Sequence, residues 1–256
     1  MGIGARDMQS RVGQSTIPNL QIAIDDIDRE CDEAAIYTSR LPLVGARVLE
    51  LGCGAAQHTI AIADLDRDIE VTALEVDQVQ HEKNLRSINV PNITFKLAGA
   101  EAIPELDASF DIVMMFKSLH HVPLDNLGQA FGEIHRVLKP GGLAYISEPI
   151  FAGAFNEILR LFHDEQAVRR AAFNAICDAV ATGQFELVDQ IFFCTPTNFV
   201  DFAEFEAKII KATHSEHRLS AEVFDQVKAR MEEHMGADGI RFRSPMRIDL
   251  LRKPIK

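Results

Sequence analysis

An apolar run that breaks into two glycines one residue apart, "VLELGCGAA" from Val48 to Ala56, constrains this chain more than any other stretch. Such a turn lets a buried strand reverse tightly into a helix and leaves bare backbone where a ligand can lie. A purely structural turn would look the same, so the rest of the chain has to decide between the two. From Arg47 to Pro149 short apolar runs alternate with polar helical stretches. "RVLELG", "EVTALEV", "NITFKLA", "FDIVMMF" and "LAYISEP" read as strands; "QHTIAIADL", "QVQHEKNLRSI" and "LGQAFGEIHRVL" read as helices, the last stopped by "KPGG". Near-continuous apolar strands alternating with helices predict a parallel sheet covered on both faces.

After Ile150 the pattern changes. Segment 151–182 reads as helical, with Phe155, Ile158, Leu159 and Phe162 at helical spacing. "FELVDQIFF" returns to strand, and 199–213 and 221–235 read as helices, the second with Phe224, Val227, Met231 and Met235 in one stripe. In the closing strand, "RFRSPMRIDLL", Phe242, Met246, Ile248 and Leu250 share one parity and predict a buried face. Arg241, Arg243, Arg247 and Asp249 share the other and predict a solvated one. The expected architecture is one α/β domain, a Rossmann-like sheet of seven mostly parallel strands with a final antiparallel one. Helices cover both faces and helical additions form a lid. Residues 1–43 are expected to be an N-terminal helical cap segment and 44–150 the ligand-binding core. Residues 151–256 complete the sheet and carry the lid within the same domain. Four of the 16 phenylalanines precede residue 151, so twelve lie in this last part, which suits a helical cap with a core of its own.

A net charge of −12 over 256 residues lacks the basic footprint of a nucleic-acid binder. The four cysteines form no CxxC pair, as expected of a reducing cytoplasm. "MGIGARDMQS" has no apolar signal core, and no apolar run is long enough to span a bilayer. A cytoplasmic protein with a small-molecule substrate is the expectation, with neither a nucleic-acid partner nor a membrane span.

Glu75, at the end of "VTALEV", stands one strand away from the glycine turn, where a carboxylate can accept both hydroxyls of a ribose. Its competing reading is a helix N-terminal charge, a role Asp77 could equally fill. Gln57 stands where a dinucleotide fingerprint needs its third glycine, which counts against NAD or FAD. Lys117, His120, His121 and Glu148 fall near the carboxyl ends of strands, and histidine suits proton transfer near neutral pH. His214 and His217 in "HSEH", with His163 and Asp164 elsewhere, lack a fixed third ligand, so no metal is expected. G-x-S-x-G is absent, which removes a serine hydrolase.

"VLELGCGAAQHT", "VTALEVD", "GAEAIPELDASFDIVMMFKSLHHV" and "IHRVLKPGGLAYISEP", together covering residues 44–150, resemble the class I S-adenosylmethionine-dependent methyltransferases. They look most like the small-molecule group that includes the ubiquinone and menaquinone C-methyltransferases. The resemblance implies S-adenosylmethionine as cofactor. It places Glu50, Gly52, Cys53 and Gly54 under the methionine part, with Glu50 orienting the amino group. Glu75 would hold the ribose, Val76 would pack on adenine, and Ala100 and Glu101 would lie at the adenine edge. Met115, Phe116 and Lys117 would face the methyl end. Two positions depart from the family pattern: Ala56 replaces a third glycine, and Gly99 replaces the acid that reads the adenine amino group. "FKSLHH" stands where a DNA amino-methyltransferase carries its (Asn/Asp)-Pro-Pro-aromatic motif. The expected activity is methyl transfer to a small, partly apolar molecule, with oxygen or carbon favoured over nitrogen. His121 is the candidate acid–base residue and His120 its brace. Gly99 keeps a second reading open, a protein that binds the cofactor or its demethylated product without methyl transfer.

Overall fold

The computed structural model describes residues 20–211 and 219–255. The expected alternation forms: β1 (Arg47–Leu51), α2 (Gln57–Ala63), β2 (Glu70–Glu75), α3 (Gln78–Ser87), β3 (Ile93–Leu97), β4 (Phe110–Phe116), α4 (Leu127–Val137) and β5 (Leu138–Pro149). Of the expected N-terminal helical segment, the described part is helical over α1 (Glu33–Arg40), and residues 20–32 contain no helix. Beyond β5 come α5 (Ala154–Leu159), α6 (Gln166–Ala181), β6 (Glu186–Phe199), α7 (Phe202–Phe205) with a π-helical turn Glu206–Ile210, and α8 (Ala221–Glu232). A two-residue β7 (Met235–Gly236) and the long β8 (Gly239–Arg252) close the chain. β7 makes the sheet eight-stranded rather than seven. It also takes Met235 out of the expected helical stripe, leaving Val227 and Met231 as its buried members.

The strand order is β3-β2-β1-β4-β5-β8-β6, with β1 to β5 parallel and β8 antiparallel to both β5 and β6. The order reverses between β1 and β4, so the crevice at their carboxyl ends is where a ligand belongs in such a sheet. Each strand splits its side chains between two cores. Val48, Ile112, Met114 and Tyr145 pack under α1 and α2, while Leu49, Val113 and Ile146 pack under α4 and α6. On α4 the buried residues are Leu127, Ala130, Phe131, Ile134 and Val137, one helical stripe.

β8 departs from the sequence expectation on its charged face. Met246, Ile248 and Leu250 are buried as expected, but Arg247 and Asp249 are buried too, 3% and 0% exposed. α6 covers that face, and Arg247 satisfies its charge there. It donates to Asp249 (2.7 Å) and to the Ile22 carbonyl (2.9 Å), and lies over the Phe173 ring. Arg241 and Arg243 stay outside, paired with Glu30.

The register explains where the lid sits. β8 pairs with β5 only over Met246–Arg252, but with β6 from Arg252 to Ile240. The β6–β8 ribbon therefore overhangs the carboxyl edge of the parallel strands. Its overhanging end carries a third apolar cluster, in which Phe199, Phe205, Ile210, Val227, Met231 and Phe242 are buried and Phe155 and Phe162 pack against them. The phenylalanine-rich segment is thus a cap with its own core. No helix among the described residues is long and apolar enough to cross a membrane.

Candidate active site

The glycine turn is pinned from two sides. The Gly52 and Cys53 amides donate to the Leu74 carbonyl at 2.9 Å each, which ties the turn to β2. Gly52 adopts φ +73°, and a β-carbon there would sit 2.7 Å from Cβ of Ser118, whose hydroxyl donates to the Leu51 carbonyl (2.7 Å). Only glycine meets both demands. Ala56 continues in the left-handed region as the N-cap of α2. From α3, the Asn84 side-chain amide donates to the Gly54 carbonyl (2.7 Å), a support that no sequence motif announced.

Glu75 binds this turn to the tip of β2. One oxygen accepts the Gly54 amide (2.7 Å) and the other accepts the amides of Val76 and Asp77 (2.9 Å each). The helix-capping role belongs to Asp77, which accepts from Val79 and Gln80. Beside Glu75 lies an apolar ledge of exposed residues: Val76, Val79, and Leu97, the last its register partner on β3. Ala100 is buried nearby in the chain, and the space beside the Gly99 α-carbon is occupied by the Glu101 carboxylate. A β-carbon on Gly99 would collide with both carboxylate oxygens of Glu101. The Glu101 carboxylate is bonded to no described residue.

Under the turn, Glu50 is 1% exposed and its carboxylate accepts the Thr59 hydroxyl (2.5 Å). Burial, outweighing that bond, pushes its pKa up to about 8. A buried acid with one neutral donor is short of a cation or a proton. A cradle open above Gly54, an ammonium-seeking acid at one end, an apolar ledge and an unbonded acid at the other fit S-adenosylmethionine.

The residues expected at the methyl end divide. Met115 and Phe116 point into the cores; Phe116 stacks on His58 (3.9 Å between centroids, 10°) and touches Tyr37 and Tyr145. Met115 and Phe116 thus both find apolar partners, on opposite faces of β4. Burial pushes His58 down to about 4, so the stacked ring is neutral. Lys117 instead is exposed, adopts the left-handed φ of +55° and lines a chamber of about 370 Å³. A non-glycine residue held there is the kind of backbone strain that collects at functional sites.

The chamber runs from Lys117, His120 and His121 to the lid. Its walls include Ile150, Phe155, Leu159, Phe162 and Met246, with Thr195, Thr197 and Ser244 from the ribbon. The two histidines have different surroundings. His120 is buried; its Nδ1 lies 2.5 Å from Glu148, and its Nε2 faces Glu165 at 3.6 Å. Burial alone would lower its pKa, but the two carboxylates outweigh burial and raise it to about 9. Glu165 in turn is held by Arg169 (2.6 Å). Burial would raise the pKa of Glu165, but His120 and Arg169 together hold it well below the usual carboxylate range. His121 is exposed at its rim, 4.1 Å from the His120 ring. Desolvation, followed by the positive charge on His120, lowers its pKa and leaves it neutral near pH 7. His120, His121 and Glu165 lie close enough to share a metal ion. The proton on His120 and the Arg169 guanidinium already balance the two carboxylates. Glu165 and Arg169 come from the N-terminus of α6 and had no signal in the sequence, although His163 and Asp164 beside them did. His214 and His217 lie outside the described residues.

The glycine turn and the Glu75 carboxylate lie together at the switch point of a β3-β2-β1-β4-β5-β8-β6 sheet, where α/β folds of this kind bind ligands. Residues 48–142 match the methyltransferase domain family, and over this core the chain is similar to S-adenosylmethionine-dependent methyltransferases. It is 36% identical over 107 residues to the 27-O-demethylrifamycin SV methyltransferase of Amycolatopsis mediterranei, covering 40% of this chain and 38% of the relative. It is 32% identical over 155 residues to the O-methyltransferase rstn1 of Aspergillus nomiae, covering 57% of this chain and 64% of the relative. The chain thus spans less than two thirds of the length of these relatives. Among solved structures, a candidate methyltransferase from Bacillus halodurans superposes with a TM-score of 0.61 at 16% identity, covering 87% of this chain and 99% of that one, a likeness of fold.

Proposed function

We propose that this protein transfers the methyl group of S-adenosylmethionine to an oxygen or carbon atom of a small, partly apolar molecule held in the lid chamber. The observation that carries this reading is the lining of that chamber by Lys117, His120 and His121, next in the chain to Ser118, which packs on Gly52 of the glycine turn. The bound cofactor supplies a methyl sulfonium that needs only an aligned nucleophile. In this reading Glu50 takes the amino group, Gly52, Cys53 and Gly54 form the floor, and Glu75 accepts the ribose hydroxyls. Val76 covers the adenine, with Ala100 and Glu101 at its edge beside Gly99.

His121 removes the acceptor's proton. Its lowered pKa keeps the ring neutral at working pH, and the imidazolium of His120 beside it is clamped between Glu148 and Glu165 and unable to act as a base. Lys117 lines the same wall and favours an acceptor that becomes an anion. Two relatives whose names specify O-methylation support oxygen over nitrogen.

The test is incubation of purified protein with S-adenosylmethionine and a panel of phenols, enols and amines, with S-adenosylhomocysteine measured by mass spectrometry. Product with phenols or enols is expected. Cofactor binding with no turnover on any of them would sink the proposal.

A further inference from the structure

Asn156, on α5, is 7% exposed and lines the chamber. Its Oδ1 accepts from Nη1 of Arg169 (3.1 Å). A guanidinium has donors and no acceptor, so this bond fixes the amide: the oxygen must face Arg169 and the NH₂ must point away from it. Arg169 is itself held by Glu165 through two bonds (2.6 and 3.1 Å), so the orientation is built in before any ligand arrives. Yet Nδ2 of Asn156 is buried and has no hydrogen-bond partner among the described residues. Two other side-chain atoms share that condition, on His81 and Ser147, and neither residue lines the chamber.

Buried polar groups are almost always satisfied, and an orphaned one in a ligand chamber calls for a partner from the ligand. We propose that Asn156 is a specificity-determining residue whose Nδ2 donates to an oxygen of the acceptor other than the atom that is methylated. The methylated atom needs its lone pair for the methyl group and gives its proton to His121, so a donor amide aimed at that atom would oppose the reaction. The acceptor class is then a largely apolar ring or chain bearing a carbonyl or hydroxyl oxygen besides its nucleophile. An amine at that second position finds a donor where it needs an acceptor. This deepens the reading of the chamber as the acceptor site and rests on it.

The experiment titrates protein saturated with S-adenosylhomocysteine with 3′-hydroxyacetophenone and with 3-ethylphenol. These share ring, phenol and size and differ in the carbonyl. Leaving a buried donor unpaired rather than bonded is expected to make the ethyl compound about tenfold weaker in the native protein. In Asn156→Asp, which keeps an oxygen toward Arg169 and loses both donors, the preference should fall below about threefold. The same variant should keep its affinity for S-adenosylhomocysteine while its melting temperature falls, because a third buried carboxylate joins the two that His120 and Arg169 already balance. In the native protein the Asn156 side-chain ¹⁵N–¹H signals should move with the ketone and stay with the ethyl compound. Equal affinity of the two probes, a preference that survives Asn156→Asp, or failure of both probes to bind overturns the proposal. These readouts are of binding, so absence of turnover, which would overturn the proposed activity, leaves them distinguishable.

Discussion

The carboxylate of Glu101 lies against the α-carbon of Gly99, filling the space where a side chain at that position would begin. In the proposed cofactor site it stands where an acid carried by residue 99 would begin. Glu101→Ala should therefore weaken S-adenosylhomocysteine binding by roughly 1.5–3 kcal/mol, the worth of a hydrogen bond to a charged group. Gly99→Asp alone should bring no gain, because its carboxylate must displace that of Glu101. Combining Gly99→Asp with Glu101→Ala should recover most of the loss. Calorimetry on the three variants checks this, and a tighter Gly99→Asp single variant would show that the two acids do not share one place.

Glu75 has a double duty that one substitution exposes. Its carboxylate already holds the amides of Gly54, Val76 and Asp77. Glu75→Ala should cost roughly 1–3 kcal/mol in S-adenosylhomocysteine affinity and lower the melting temperature as well, because the turn loses its tie to β2. Calorimetry and a melting curve on the same sample separate the two effects; unchanged affinity would remove Glu75 from the cofactor site.

Cofactor binding should release a proton. Free Glu50 titrates at about 8, and an arriving ammonium favours its carboxylate. Affinity for S-adenosylhomocysteine should then rise as pH increases from 6 towards about 8. At pH 7 the apparent binding enthalpy should vary with the ionisation enthalpy of the buffer, and Glu50→Gln should abolish that variation. Buffer-independent enthalpies in the native protein would contradict it.

His121→Ala should reduce turnover by roughly 10²–10⁴-fold and leave cofactor affinity nearly intact. A neutral imidazole is the active form, so the native rate should fall as pH drops below the His121 pKa, and the variant should lose that acidic limb. Should His120→Ala lose the limb while His121→Ala retains it, the roles of the two rings are exchanged.

The cluster of His120, Glu148, Glu165 and Arg169 should make the docking of the α6 N-terminus pH-dependent. The His120 pKa is raised to about 9, so its contribution to stability is complete below the unfolded value of about 6.5 and disappears as pH rises through about 9. The Glu165 pKa is depressed, so its share is present above the unfolded carboxylate value of about 4.3 and is lost as pH falls through the folded one. Stability from this cluster should therefore be greatest between about pH 4.5 and 6.5. His120→Gln should flatten the melting temperature between pH 6.5 and 9, each 1 kcal/mol of linkage being worth about 2–4 °C. A native melting temperature that rises over that interval would contradict the assignment.

The parallel half of this sheet was legible because each strand and helix carries its own period, and because the glycine turn and Glu75 stand at fixed places in such a fold. The charged side of β8 was misread for a physical reason. Alternation shows which face is charged, but not that α6 will cover that face and that Arg247 and Asp249 will satisfy each other beneath it. The ring partners of Phe116 were not legible, because His58 and Tyr37 come from elements far away in sequence. Glu165, Arg169 and Asn156 were invisible for the same reason. Their importance lies in the bonds they make to one another and to His120, and none of those bonds is local.

The overhang of the β6–β8 ribbon beyond the parallel strands has an evolutionary reading. The buried side chains of the lid cluster are all distinct from those of the two cores that bracket the sheet. Substitutions at Phe155, Leu159 or Ile209, which line the chamber and pack on that cluster, reshape the chamber wall without touching the packing beneath the glycine turn. A lineage could thus trade one acceptor for another by rewriting what packs on the ribbon's far end, keeping the same adenosyl machinery through every exchange.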